Sequence, residues 1–148
     1  MSSRRAAIGI DHGEKRTGFA VVDALRIAVH PVGTCEAAGD SVELLDHVAA
    51  LLDERDVDTL VVGLPFNMDG SEGARAGAVR AFMQRLRERF PGLSVVAQDE
   101  RLTTKQAEEL LRDTGLSPRK RRKLRDAASA VVILQDWLRE GEPTDIGS

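Results

Sequence analysis

The chain of 148 residues has one cysteine, Cys35, so it cannot close an internal disulfide or build a zinc site on thiolates. Its three histidines, His12, His30 and His47, show no ligand spacing. Tyrosine is absent and aromatic residues make up 3% of the chain, which argues against base stacking as a principal binding mode. No apolar run reaches the ~18 residues that a membrane span requires, so no membrane association is expected. The start, Met1-Ser-Ser-Arg-Arg, leads into apolar residues without a signal-peptide core, and the expected compartment is the cytoplasm. A surplus of one charge sign is also missing. The formal net charge is −3, from 21 basic and 24 acidic residues. That sum disfavours nonspecific polyanion binding, but the distribution favours it. Positions 119–125 read R-K-R-R-K-L-R, and clustering matters more than the sum when the partner is a polyanion.

What is present is enough apolar residue (42%) for one domain with a core, and the whole of 1–148 is read as a single domain. The chain is organised around Ala6–Asp23, A-A-I-G-I-D-H-G-E-K-R-T-G-F-A-V-V-D. Two short apolar runs flank a polar glycine turn, which predicts two antiparallel strands with Asp11 where the first leaves the sheet. The turn sets a carboxylate beside Lys15, Arg16 and free backbone N–H groups, chemistry suited to a metal ion or a phosphate. A third extended piece carries Ile27, Val29 and Val32, and Pro31 marks it as an edge strand. Gly39-Asp40-Ser41 offers an N-cap to a helix bearing Val42, Leu44, Leu45, Val48, Leu51 and Leu52. Asp58–Leu64 reads as a strand buried on both faces. A helix over about 74–90 and a strand over 93–97 follow. Thr103 or Thr104 then starts a helix ending near Asp113. The basic run forms a loop into a last helix over about 123–139, and the tail from about 141 is expected to fray. The order β-β-β-α-β-α-β-α-α implies an α/β fold: one mixed five-stranded sheet flanked by helices.

Polar groups gather at the strand ends, where sites in such sheets lie. Asp11 follows the first strand, Asn67 and Asp69 the fourth, and Asp99 and Glu100 the fifth. Asp126 opens the last helix beside the small residues Ala127, Ala128, Ser129 and Ala130. Carboxylates converging from separate segments suit Mg²⁺ or Mn²⁺, which take oxygen ligands and complete their shell with water and phosphate. Side chains alternate along a strand, so one of Asp99 and Glu100 faces the site.

Four segments, D-H-G-E-K-R-T-G-F-A-V, V-V-G-L-P-F-N-M-D-G-S-E-G, D-E-R-L-T-T and D-A-A-S-A-V-V-I-L, resemble the YqgF/RuvX family of pre-16S rRNA nucleases, also described as Holliday-junction-resolvase-like proteins. The resemblance runs from Ala6 to about Leu138. It implies an RNase H-like fold and a metal-dependent nuclease working in the cytoplasm on pre-16S rRNA. It places the catalytic and metal-holding acids at Asp11, Glu100 and Asp126, with Glu100 preferred over Asp99. His12, Glu14 and the D-A-A-S-A of the last motif depart from other members without removing a carboxylate. On this reading two ions sit between the acids. Lys15 and Arg16 hold a neighbouring phosphate, Asn67 lies in a loop touching the nucleic-acid backbone, and Arg119, Lys120, Arg121 and Arg122 neutralise further phosphates. RNA is the favoured partner and structured DNA the alternative. A junction resolvase needs two sites, hence a homodimer, and the sequence names no interface. The rival of another class is an RNA-binding assembly factor without turnover. A sugar-kinase-like phosphate enzyme would need two such domains. A P-loop fails because Gly13-x₄-Gly18 is followed by Phe19.

Overall fold

The computed structural model describes residues 4–37, 39–100 and 117–144. Five strands form one sheet: β1 (Ala6–His12), β2 (Thr17–Val22), β3 (Val29–Cys35), β4 (Val57–Leu64) and β5 (Ser94–Asp99). Its order is β3-β2-β1-β4-β5. The first three strands pair antiparallel as a meander, while β4 and β5 join β1 in parallel. Helices α1 (Val42–Asp53) and α2 (Ala74–Arg89) make the crossovers into and out of β4. The third described helix, α3 (Pro118–Arg139), lies on the opposite face.

Period-2 alternation divides the strands between two cores. Ile8, Ile10, Phe19, Leu60, Val62 and Leu64 face α1 and α2, where Leu44, Val48, Phe82, Met83 and Leu86 pack on them. Ala7, Ala20, Val22, Val61 and Val96 face Ala130, Ile133, Leu134 and Trp137 of α3. Each large side chain sealed in this way contributes about 1.5–3 kcal/mol. The α3 face is built for close approach. A Cβ on Gly9 would stand 2.6 Å from Leu134 Cγ and 2.8 Å from the Ala130 carbonyl oxygen. The helix therefore runs directly over β1 because Gly9 has no side chain.

Four expectations are corrected. The β1–β2 ladder continues through Asp11–Gly18 to His12–Thr17, so Asp11 is a strand residue and not the start of the turn. Ile27 is 77% exposed and precedes β3, because the Asp23 carboxylate accepts the N–H groups of Ile27 (2.8 Å) and Ala28 (3.2 Å) and holds the turn open there. The basic run is not a loop. Ser117 caps α3, its hydroxyl accepting the Lys120 N–H at 3.3 Å, and Pro118 takes the first helical position, where its missing N–H costs nothing. Arg119, Lys120, Arg121 and Arg122 therefore occupy the first turns of α3. The tail is docked through 144: the Trp137 indole donates to the Pro143 carbonyl (3.0 Å), and Glu142 pairs with Arg4 and Arg26. The helix expected from Thr103 or Thr104 to Asp113 lies outside the described residues.

Candidate metal-dependent nuclease site

Asp11 and Glu100 reach one point from opposite sides of β4. Gly9 and Ala7 of β1 face α3, so Asp11, two residues on, faces α3 as well. On β5, Val96 faces α3, which puts Gln98 and Glu100 on that same face. The Glu100 N–H donates to the Leu64 carbonyl at 3.3 Å, carrying the β4–β5 pairing one residue beyond the strand and fixing where Glu100 emerges. Between them, on β4, stands Gly63. A Cβ there would lie 2.6 Å from Glu100 Oε2 and 2.5 Å from Ile133 Cδ1. The space that holds the Glu100 carboxyl exists because position 63 has no side chain. Gly63→Ala is expected to destabilise the protein by about 1–3 kcal/mol in chemical denaturation. The same substitution lowers turnover by pushing the carboxyl aside.

The two carboxyl groups are hydrogen-bonded to each other. Burial, then the negative charge of Asp11 and that hydrogen bond, push the Glu100 carboxyl up to about 9, against a smaller downward pull from the Arg75 guanidinium. Burial and their closeness therefore disfavour having both carboxyls ionised at once. Two acids forced together in a buried place bind either a proton or a cation between them. The donor set is all oxygen, as Mg²⁺ and Mn²⁺ require.

Asp126, the third acid of the sequence reading, lies on α3 one turn before Ala130, whose carbonyl stands over Gly9. Its side chain is outside the described ones. With α3 beginning at Pro118, Asp126 is more than two turns in, too deep to act as a partner for the helix dipole. Among the described residues no group of three metal-ligating side chains is assembled. Asp99 lies next to the site, and its negative charge adds to the upward push on Glu100.

Lys15 and Arg16 occupy the exposed four-residue turn between His12 and Thr17. Asn67 belongs to a tightly tied loop. Its N–H donates to the Ser71 carbonyl (2.8 Å), its carbonyl accepts from Gly70 N–H (2.8 Å), and its side-chain amide donates to Ser71 Oγ (2.9 Å). Asp69 accepts from both the Ser71 N–H and its hydroxyl, and Phe66 pairs with Glu72. Asn67 thus shapes the loop, while Met68 at the tip is 82% exposed. On α3, Lys120 is exposed, and the Arg121 Nε is buried without a hydrogen-bond partner among the described residues.

Two residues that the sequence reading did not assign stand beside the acids. His12, adjacent to Asp11, is buried and stacks on Phe82 with ring centroids 4.4 Å apart. Its Nε2 lies 2.7 Å from the Gly39 carbonyl, which can only accept, so Nε2 carries the proton and Nδ1 is an acceptor. Burial lowers the affinity of this imidazole for a second proton. Arg75, in the first turn of α2, donates from Nη2 to the His12 carbonyl (2.5 Å) and to His12 Nδ1 (3.1 Å). The legible signal for Arg75 was a cation in a first helical turn that holds no acid, where the helix dipole disfavours it.

The sequence profile of the RuvX family, described as Holliday junction resolvase, matches residues 5–140. A relative from Lactococcus lactis subsp. cremoris is 42% identical over 132 residues, covering 88% of this chain and 92% of its own. One from Anaeromyxobacter is 44% identical over 131 residues, covering 88% and 94%. One from Synechococcus is 39% identical over 144 residues, covering 97% and 95%. All three carry the name "Putative pre-16S rRNA nuclease". Among solved structures, T. thermophilus RuvC in complex with a Holliday junction superposes with a TM-score of 0.55 at 18% identity, covering 94% of this chain and 98% of that one. Fowlpox virus resolvase in complex with junction DNA gives 0.58 at 10% identity, covering 91% and 97%. These likenesses establish the fold, an RNase H-like mixed sheet flanked by helices.

Proposed function

The chain belongs to the RuvX family, and from that premise we propose that it is a divalent-metal-dependent nuclease whose substrate is the 5′ region of pre-16S rRNA. The observation that carries this reading is the Asp11–Glu100 pair, two hydrogen-bonded acids in a buried cradle beyond the strand ends. Asp11 and Glu100 would hold Mg²⁺ or Mn²⁺, with Asp126 from α3 as the third acid of a two-ion site. When bound, the metal supplies a water of lowered pKa and positive charge for the phosphoryl oxygens. The protein's own residues supply the rest. Gly63 keeps space for the Glu100 carboxyl, and the Leu64 carbonyl fixes its backbone. Lys15 and Arg16, on the turn that leaves β1, reach a phosphate on one side of the acids. Residues 1–148 act as one nuclease domain. An RNA substrate of this kind belongs to the cytoplasm, and no helix among the described residues is long and apolar enough to cross a membrane.

The start of α3 supports a polyanionic partner. Four consecutive cations, Arg119 to Arg122, stand in its first turns, where the helix dipole already places positive partial charge. Each such charge costs about 0.3–1 kcal/mol at low salt. A cost repeated four times is offset when phosphates settle there. Neutralising Lys120, Arg121 and Arg122 together is expected to weaken RNA binding and to flatten the slope of log K against log salt by ~2–3 units. Titrations at several salt concentrations measure this, and an unchanged slope means the segment does not touch the substrate.

A second reading, junction resolution as a homodimer, is favoured by the description of the matching family. Mg²⁺-dependent cleavage of matched pre-16S rRNA, single-stranded DNA and four-way junction substrates tests both. Selective RNA cleavage supports the first reading, and paired nicks across a junction by a dimer support the second. Metal-independent binding without cleavage leaves only an assembly factor.

A further inference from the structure

The Arg75–His12 contact has an arrangement that simple packing does not require. Arg75 spends one nitrogen, Nη2, on two acceptors of the same residue, the His12 carbonyl and Nδ1. Its Nη1 and Nε make no hydrogen bond to the described residues. The imidazole that receives it is itself held on three sides: Phe82 stacks on its face, the Gly39 carbonyl accepts its Nε2 proton, and the β1 backbone carries it. His12 is the residue after Asp11, so the guanidinium is anchored at the backbone of the candidate metal-holding strand. Its remaining N–H groups, on Nη1 and Nε, can each donate to a phosphate oxygen.

We infer that Arg75 is a catalytic residue that grips the phosphate beside the Asp11–Glu100 pair, and that His12 is the positioning residue that seats it. The inference rests on the nuclease reading above. A neutral imidazole suits this task. Nδ1 presents a lone pair to a cation that carbonyl oxygens alone would leave free to rotate, and the Gly39 bond fixes which nitrogen does so. The guanidinium also lies close enough to Glu100 for its charge to oppose the upward push on that carboxyl. It would therefore meet a phosphate bound against the acids and stabilise the charge that builds on its oxygens during displacement.

The test is single-turnover cleavage of pre-16S rRNA at saturating protein in Mg²⁺, with melting temperature measured for each variant. Arg75→Ala is expected to slow cleavage by ~100–1,000-fold. Added guanidinium ion restores part of that rate, and the fold stays intact. Arg75→Lys, which keeps the charge but not the guanidinium's spread of N–H donors, falls between. His12→Asn keeps an acceptor near the Nδ1 position and His12→Leu does not, so Asn retains more turnover than Leu. Arg75→Ala/His12→Leu is no slower than Arg75→Ala alone. If Arg75→Ala does not fold, Arg75→Gln takes its place in the same comparisons. Wild-type turnover in an Arg75 variant overturns the inference. So does a loss of turnover that follows melting temperature and resists guanidinium, since Arg75 would then only fasten α2 to β1. In either case an active wild type and a dead Asp11→Asn leave the nuclease reading standing. A folded wild type that cleaves nothing in Mg²⁺ overturns both.

Discussion

Asp11→Asn is expected to abolish cleavage, by at least ~1,000-fold, while the protein stays folded and binds RNA nearly as well as wild type. The substitution keeps the size and shape of the side chain at a position that the β1–β2 ladder holds in register with Gly18. What it removes is the negative charge that Asp11 would bring to a metal held beside Glu100. A metal ion at a phosphoryl centre contributes several kcal/mol to the transition state, and ~4 kcal/mol corresponds to three orders of magnitude in rate. The loss appears in the rate at saturation rather than in affinity, because the lysines and arginines on the β1–β2 turn and α3 are untouched. In the metal-free protein the Asn amide oxygen can still accept from the Glu100 carboxyl, so Asp11→Asn is expected to melt close to wild type. Normal turnover by the folded variant would remove Asp11 from the metal site.

Glu100→Gln has an effect as large on activity and an opposite effect on stability. In the folded, metal-free chain the Glu100 carboxyl is raised to about 9 by burial and by Asp11, whereas in the unfolded chain it titrates near 4.5. A raised folded value means that the folded state holds a proton the unfolded state gives up. The stability tied to that proton is complete below about pH 4.5 and is lost as pH rises toward 9. Wild type without metal should therefore show a melting temperature that falls across this window. Glu100→Gln, with nothing to ionise, should lack that part of the decline and melt higher than wild type at pH 8. Mg²⁺ replaces the proton with a cation and raises the wild-type melting temperature in proportion to its occupancy. It should do nothing for Glu100→Gln, which also fails to cleave. A variant that melts lower than wild type at pH 8 would show that Glu100 is not held as a buried acid. Asp99→Asn, made alongside, leaves the Asp11–Glu100 hydrogen bond in place and is expected to retain turnover.

The parts of this protein that repeat with a period were legible in its sequence. Alternation in A-A-I-G-I-D-H and the continuous run of L-V-V-G-L led directly to a mixed five-stranded sheet, and Pro31 correctly marked its edge. Asp11 and Glu100 could be placed at strand ends because each follows an apolar run. The misreadings came where a local rule had two readings. Pro118 follows the helix expected to end near Asp113 and fits a stop, but with Ser117 before it the same residue is a helix start. The tail after 141 looked featureless, but the Glu142 N–H donates to the Trp137 carbonyl and its carboxylate pairs with the distant Arg4 and Arg26. Asn67, expected in a loop that touches nucleic acid, makes hydrogen bonds within that loop, which the sequence did not show. Arg75 and His12 were missed as a pair because 63 positions separate them. No periodicity links the first turn of one helix to the end of the first strand. The signals they left were violations: a cation at a helix start and a buried imidazole where an apolar residue would pack.

The central claim is that Asp11 and Glu100 hold a catalytic divalent metal. It is tested most directly by single-turnover cleavage of pre-16S rRNA carrying its 5′ extension, with wild type and Asp11→Asn assayed side by side in Mg²⁺ and in EDTA. The account predicts cleavage by wild type in Mg²⁺, none in EDTA, restoration when Mg²⁺ is returned in excess, and none by Asp11→Asn under any of these conditions. Cleavage that persists in EDTA, or that survives Asp11→Asn, would contradict it.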